Sequence, residues 1–205
     1  MDTRFKHPFT MIISGPTGSG KTVFTFKLLQ DAAKLITPPP ERIVYCYGEY
    51  QTTFNEFPHI EFREGLPQMG EFDGNTRVLL VLDDLMAESD ESVSNIFTKF
   101  SHHRNISIIY LTQNLFYKSR HNRTMNLNAH YIVLFKNPRD SLQVATLARQ
   151  MYPGNSKFLI EAFNDATKLP YGYLLLDLKA DTDERLRVRT HVLSDLLQYV
   201  YVRKV

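Results

Sequence analysis

The chain has 205 residues, 43% apolar and 22% charged, with a formal net charge of +2, which supports one globular domain with a full core and excludes disordered, collagenous and strongly polyanion-seeking classes; any nucleic-acid surface must come from local clusters. Cys46 is the only cysteine, so an intrachain disulfide is excluded and a reducing, intracellular compartment is expected. Residues 1–8 have no apolar h-region, so no signal peptide is expected, and the longest membrane-like run, 78–82, is far too short to span a bilayer.

In chain order, the apolar run 9–14 predicts a strand and residues 21–36 predict a helix, with apolar residues at Val23, Phe24, Phe26, Leu28, Leu29, Ala32, Ala33 and Ile36. Between them stands Gly15-Pro16-Thr17-Gly18-Ser19-Gly20-Lys21-Thr22, which fits G-x-x-x-x-G-K-[ST] at every fixed position. Glycines let successive backbone N–H groups curl around an oxyanion, and the helix that follows adds the positive end of its dipole. The motif implies a cradle for the phosphates of a nucleotide, with Lys21 on the β- and γ-phosphates and the Thr22 hydroxyl on Mg²⁺. The bland alternative is a glycine-rich turn that only joins strand to helix.

Thr37-Pro38-Pro39-Pro40 stops the first helix. Residues 42–47 predict a buried strand, 50–56 a short helix, 59–63 an alternating edge strand and 65–75 a loop with one helical turn. Val78-Leu79-Leu80-Val81-Leu82 then predicts a parallel strand covered on both faces, ending in Asp83-Asp84. Carboxylates at that edge of an open α/β sheet face the ligand. In this Walker B pattern Asp83 holds Mg²⁺ through water and Asp84 orients or deprotonates the attacking water. The alternative is an Asp-Asp turn ending a strand, and Asp84 is one methylene shorter than the Glu usual at its position.

Residues 89–100 predict a helix and 106–113 a buried strand whose tip, Thr112-Gln113, can meet the nucleotide. Gln113 is the candidate γ-phosphate sensor; otherwise it is a polar strand-end residue. A long basic connection, 115–128, carries Lys118, Arg120, His121 and Arg123. Lys118, Arg120 and Arg123 are the candidate DNA contacts, binding phosphates without reading bases, and a solvated basic loop is the alternative. A strand at 130–135, helices at 141–151 and 155–167 and a strand at 171–178 follow. Arg185, Arg187 and Arg189 alternate with aliphatic residues as in an edge strand, and are either further DNA contacts or charges that blunt a sheet edge. The tail to residue 205 reads as a short helix or strand.

The elements predict one three-layer α/β domain over residues 1–205, with its core at 9 to about 180, an extension at 181–205 and a mostly parallel central sheet. The strand ending in Gln113 resembles that of the additional-strand class of P-loop NTPases. Gly15 to Thr22, Val78 to Asp84, and Arg104 to Gln113 followed by Asn128-Ala129-His130 resemble the FtsK–HerA superfamily. With the later Tyr171-Gly172-Tyr173-Leu174-Leu175-Leu176-Asp177, the pattern is similar to the poxvirus-type and Polinton-like viral genome-packaging ATPases, over residues 9 to about 180.

The resemblance implies ATP and Mg²⁺ as ligands. It also implies an ATP-driven double-stranded DNA translocase working as a pentameric or hexameric ring of identical subunits, with a viral capsid or portal protein as partner and an infected host cell or virion as setting. It places Lys21, Asp84 and Gln113 in the catalytic machinery and makes Arg104 the arginine finger entering a neighbour's site, with Arg120, Arg123 and Arg139 as rivals. Two other readings stay open: a nucleoside or nucleotide kinase, whose phosphate loop begins in the same way, and a nucleotide-binding scaffold without turnover.

Overall fold

The computed structural model describes residues 2–83, 85, 90–100, 105–116, 120–193 and 197–204. A nine-stranded sheet runs through it, flanked by helices. The first strands are β1 (Phe5–Lys6), β2 (Thr10–Ser14), β3 (Ile36–Thr37), β4 (Arg42–Tyr47) and β5 (Glu61–Glu64). They are followed by β6 (Val78–Asp83), β7 (Ile106–Thr112), β8 (Tyr131–Phe135), β9 (Tyr173–Asp177), β10 (Val188–Thr190) and β11 (Tyr199–Val200). The strand order is β11-β10-β9-β8-β2-β7-β6-β4-β5, and β1 pairs separately with β3.

The strand from β8 across to β5 is parallel at every pairing, and the β8–β9, β9–β10 and β10–β11 pairings are antiparallel. The expected mostly parallel sheet is therefore corrected to a mixed one. Parallel neighbours need a crossover of about a dozen residues or more, and the shorter connections after β9 and β10 do not supply one. β7 lies between β2 and β6.

Alternating side chains build two cores. Ile12, Leu80, Leu82 and Ile108 face one layer, and Met11, Ile13, Leu79, Val81 and Ile109 face the other. The second layer holds α1 (Lys21–Gln30) and the short α2 (Ala32–Leu35). The expected single helix over 21–36 breaks at Asp31, and Ile36 turns extended to pair with Phe5. Thr37, directly before Pro38, is biased to the extended conformation, and Ile36 beside it gains full burial. The other layer holds α3 (Asp90–Asn95), which continues as a π-helical turn Ile96–Phe100, then α4 (Arg120–Leu127), α5 (Leu142–Met151) and α6 (Ser156–Ala166).

The basic connection is thus partly helical, a correction to the expected long loop. Its sequence hides this because α4 has little apolar periodicity and buries Met125 but leaves Arg123 and Leu127 exposed. The segment 185–189 is also not an edge strand: Glu184–Leu186 is a 3₁₀ turn, and β10 lies between β9 and β11. Arg189 is buried there, its Nη2 3.2 Å from Asp177 Oδ2 and its Nη1 donating to Thr3 O at 2.8 Å. Arg187 donates to the carbonyls of Asp177, Lys179 and Thr182. Both guanidiniums are committed to the fold, and Arg185 pairs with Asp183 on the surface. Among the described residues, no helix is long and apolar enough to cross a membrane.

Candidate functional site

The phosphate-loop motif lies where β2 passes into α1. Gly15 N–H donates to Thr112 O on β7 at 3.2 Å, tying the loop to the neighbouring strand. Gly18 and Gly20 hold φ of 77° and 104°, conformations a side chain would resist. A Cβ on Gly15 would stand 2.7 Å from both Phe135 Cβ and Ser19 Oγ. The loop is therefore closed tightly enough to need glycine there. Lys21 Nζ donates to the carbonyls of Gly15 (2.6 Å) and Pro16 (3.1 Å), so its charge lies across the loop it follows. The first turn of α1 carries no acidic residue, which leaves the positive end of the helix dipole uncompensated by side chains.

Two aromatic residues of α1 set its position. Phe26 stacks on Tyr45 at 5.3 Å and 6° and on Phe57 at 4.4 Å and 11°. Phe24 meets Tyr173 edge-on at 4.7 Å and Phe135 at 5.9 Å. Spaced two apart, they point to opposite flanks of the helix and wedge it between β4 on one side and β8–β9 on the other.

Asp83 ends β6 on the α1 face, the same face as Leu79 and Val81. It is buried, and the Tyr45 hydroxyl donates to its Oδ2 at 2.6 Å. Burial first, then the Asp83 charge and this hydrogen bond, push the Tyr45 phenol far above its ordinary range, so it stays a donor. Tyr45 was not singled out from sequence. The signal lay in strand parity: β4 and β6 pair in parallel with Tyr47 opposite Asp83, which puts Tyr45 on the Asp83 face one repeat earlier.

At the tip of β7, Gln113 is exposed and lines the same cavity as Asp83, Lys21 and Thr22. Two residues that sequence reasoning passed over hold the chain beyond it. Gln143 Oε1 accepts from Leu115 N–H at 3.1 Å, and Asn126 Nδ2 donates to Leu115 O at 2.5 Å. Asp84, Arg104 and Lys118, and the Arg120 side chain, lie outside the described residues. Arg123 and Arg139 are exposed, on α4 and after β8 respectively, and neither lines the cavity.

The cavity is about 1200 Å³. It runs from Asp83, Leu85, Tyr110 and Gln113, over Thr17, Gly18, Gly20, Lys21 and Thr22, to a wall of Tyr171, Tyr173, His191 and Leu193. That wall comes from the ends of the C-terminal antiparallel strands, and none of its residues was a candidate site residue from sequence. Its volume exceeds what a typical small ligand needs. The donor set fits a phosphate chain and its metal. The buried Ser19 Oγ has no hydrogen-bond partner in the loop, glycines keep its floor open, and Asp83 and Thr22 are hard oxygen donors. Mg²⁺ is commonly held by one or two such groups together with substrate phosphates. Among the described residues there is no group of three or more His, Cys, Asp or Glu that could hold a metal ion.

No protein-family model matches this chain, and no curated protein matches it. In structure the chain is similar to the genome packaging NTPase B204 from Sulfolobus turreted icosahedral virus 2. In complex with sulfate that protein matches at a TM-score of 0.56 and 12% identity, over 90% of this chain and 96% of the other. In complex with AMPPCP it matches at 0.57 and 12%, over 89% and 96%. In complex with AMP it matches at 0.56 and 12%, over 93% and 98%. At this identity the likeness is one of fold.

Proposed function

We propose that this chain hydrolyses ATP with Mg²⁺ and uses the energy to translocate double-stranded DNA, packaging a viral genome into a capsid as a homo-oligomeric ring. The observation that carries the reading is the shared cavity of Lys21 and Asp83: an ammonium across the phosphate loop faces a buried carboxylate fixed by Tyr45. The fold it shares with a genome packaging NTPase supports the same reading.

In this reading residues Gly15, Pro16, Thr17, Gly18, Ser19 and Gly20 wrap the phosphates, with backbone N–H groups offered from Thr17 onward because proline has none and the Gly15 N–H is held by Thr112 O, and Lys21 pairs with the terminal phosphates. Thr22 and Asp83 hold Mg²⁺, which neutralises charge developing on the transferred phosphoryl group. Asp84 orients or deprotonates the attacking water, and Gln113 reports on the terminal phosphate. Arg104, from a neighbouring subunit, supplies the finger; Lys118, Arg120 and Arg123 grip the DNA backbone. A capsid or portal protein is the docking partner of the ring.

The test is ATP turnover with and without duplex DNA, alongside the oligomeric state with a non-hydrolysable nucleotide. Stimulation by DNA and assembly into a ring are expected. A strictly monomeric enzyme indifferent to DNA overturns the motor, and tight ATP binding without turnover points to a scaffold.

A further inference from the structure

The geometry points to Tyr171 as the platform on which the base of the bound nucleotide stacks, with His191 as the second ring of that pocket. This rests on the nucleotide reading above and names the groups that hold the nucleoside. The order β9-β8-β2-β7-β6 puts Asp83 and Gln113 on one side of the phosphate loop and Tyr171 and His191 on the other. A triphosphate whose terminal phosphate meets Asp83 therefore directs its nucleoside toward Tyr171.

The backbone there is held in an unfavourable state. Tyr171 has φ of 62°, in the left-handed region that a bulky ring avoids, and His191 has φ of 58°, where histidine is one of the more tolerated residues. Tyr171 holds this conformation where it lines the cavity, so its backbone strain lies at the candidate ligand site. The strain on Tyr171 is imposed by its neighbours. Gly172 N–H closes a turn onto Leu169 O at 3.1 Å, and a Cβ on Gly172 would stand 2.4 Å from Ala166 O. Tyr171 is pushed outward, and it remains 72% exposed. Core packing therefore does not explain the ring. Its Cβ and Cδ1 instead lie 3.3 and 3.2 Å from where a Gly20 Cβ would stand, directly before Lys21. His191 is held edge-on to Tyr199 at 5.2 Å and 76°.

Stacking on a phenol face accepts any base, because every base presents a π surface. The pocket therefore takes purine triphosphates with little discrimination between adenine and guanine.

The test compares wild type, Tyr171→Gly and Tyr171→Phe, titrated with Mg-ATP, Mg-GTP and Mg-tripolyphosphate, with a thermal melt of each. Tyr171→Gly is expected to weaken ATP and GTP by roughly 10-fold, a typical stacking loss, while tripolyphosphate affinity holds. The same variant is expected to melt at a higher temperature, because glycine relaxes at positive φ. Tyr171→Phe keeps the ring and is expected to keep the affinity. Unchanged ATP affinity in Tyr171→Gly, or equal losses for ATP and tripolyphosphate, overturns the platform while leaving the triphosphate reading in place. Wild-type preference for one purine by more than about 100-fold overturns stacking as the basis of selection. Wild type that binds neither ATP nor tripolyphosphate overturns the nucleotide reading and the platform with it.

Discussion

The Tyr45 hydroxyl donates to the Asp83 carboxylate across two parallel strands at 2.6 Å, and the Tyr45 ring is stacked on Phe26 of the helix that follows the phosphate loop. One side chain thus links the two halves of the candidate site. It fixes which way Asp83 points and, through Phe26, how α1 lies over the sheet.

Tyr45→Phe removes the hydrogen bond and keeps the stack. Partners that orient a metal-holding carboxylate typically matter by about 10- to 100-fold. Turnover is expected to fall by about 10-fold with a raised Mg²⁺ requirement, and stability to fall by about 1.5–3 kcal/mol, as for a hydrogen bond to a charged group. Steady-state kinetics across a Mg²⁺ titration, with a denaturant melt of both proteins, checks this. An unchanged Mg²⁺ dependence would show that Asp83 needs no such support.

Lys21→Ala removes a cation that spans the loop carbonyls at 2.6 and 3.1 Å. Charge-assisted bonds to phosphate are each worth about 1.5–3 kcal/mol, so ATP affinity is expected to drop at least roughly 10-fold. Asp83→Asn is expected to spare ATP binding but abolish turnover, and chelation of Mg²⁺ is expected to do the same to wild type. Calorimetric titration and phosphate release separate the two effects.

Arg189→Ala leaves Asp177 buried without its ion-pair partner and frees Thr3 O. Breaking such a pair from one side costs about 3–5 kcal/mol. A large fall in melting temperature is expected, with any loss of DNA binding explained by unfolding. A folded Arg189→Ala protein that had lost only its DNA affinity would return Arg189 to the DNA-contact role.

His7 makes stability depend on acid. Its Nε2 lies 3.0 Å from Asn105 Oδ1, its Nδ1 lies 2.5 Å from Ser107 Oγ, and Ser107 Oγ accepts from Phe9 N–H at 3.1 Å. Ser107 can donate only to an unprotonated Nδ1. Burial, aided by the Arg77 and Lys179 charges and opposed by the Asn105 hydrogen bonds, lowers the His7 pKa from 6.5. The unfolded chain therefore binds the proton more readily. The His7 contribution is complete above pH 6.5 and is lost as pH falls from there toward the folded value. Denaturant melts across that range are expected to show stability falling with acid, and His7→Leu to flatten the slope.

Gly15 to Thr22 and the run ending at Asp83 were legible because each is a contiguous stretch whose chemistry and periodicity are local. Gln113, read from sequence as the tip of its strand, follows the last residue of β7 and lines the cavity. Helix α4 was not legible, because its stability comes from Met125 and from Asn126 bonding to Leu115 rather than from an apolar stripe. The basic run therefore read as a loop.

The amino-acid sequence by itself determined the phosphate loop, the buried parallel strands and the carboxylate at the tip of β6, since backbone sterics and side-chain period act over a few residues. Tertiary structure alone decided that the last strands run antiparallel, that Arg189 is buried against Asp177, that Tyr45 holds Asp83, and that Tyr171 and His191 face the loop. Those relationships join positions 12 to about 170 residues apart, and only the packing of the whole sheet specifies which of them meet.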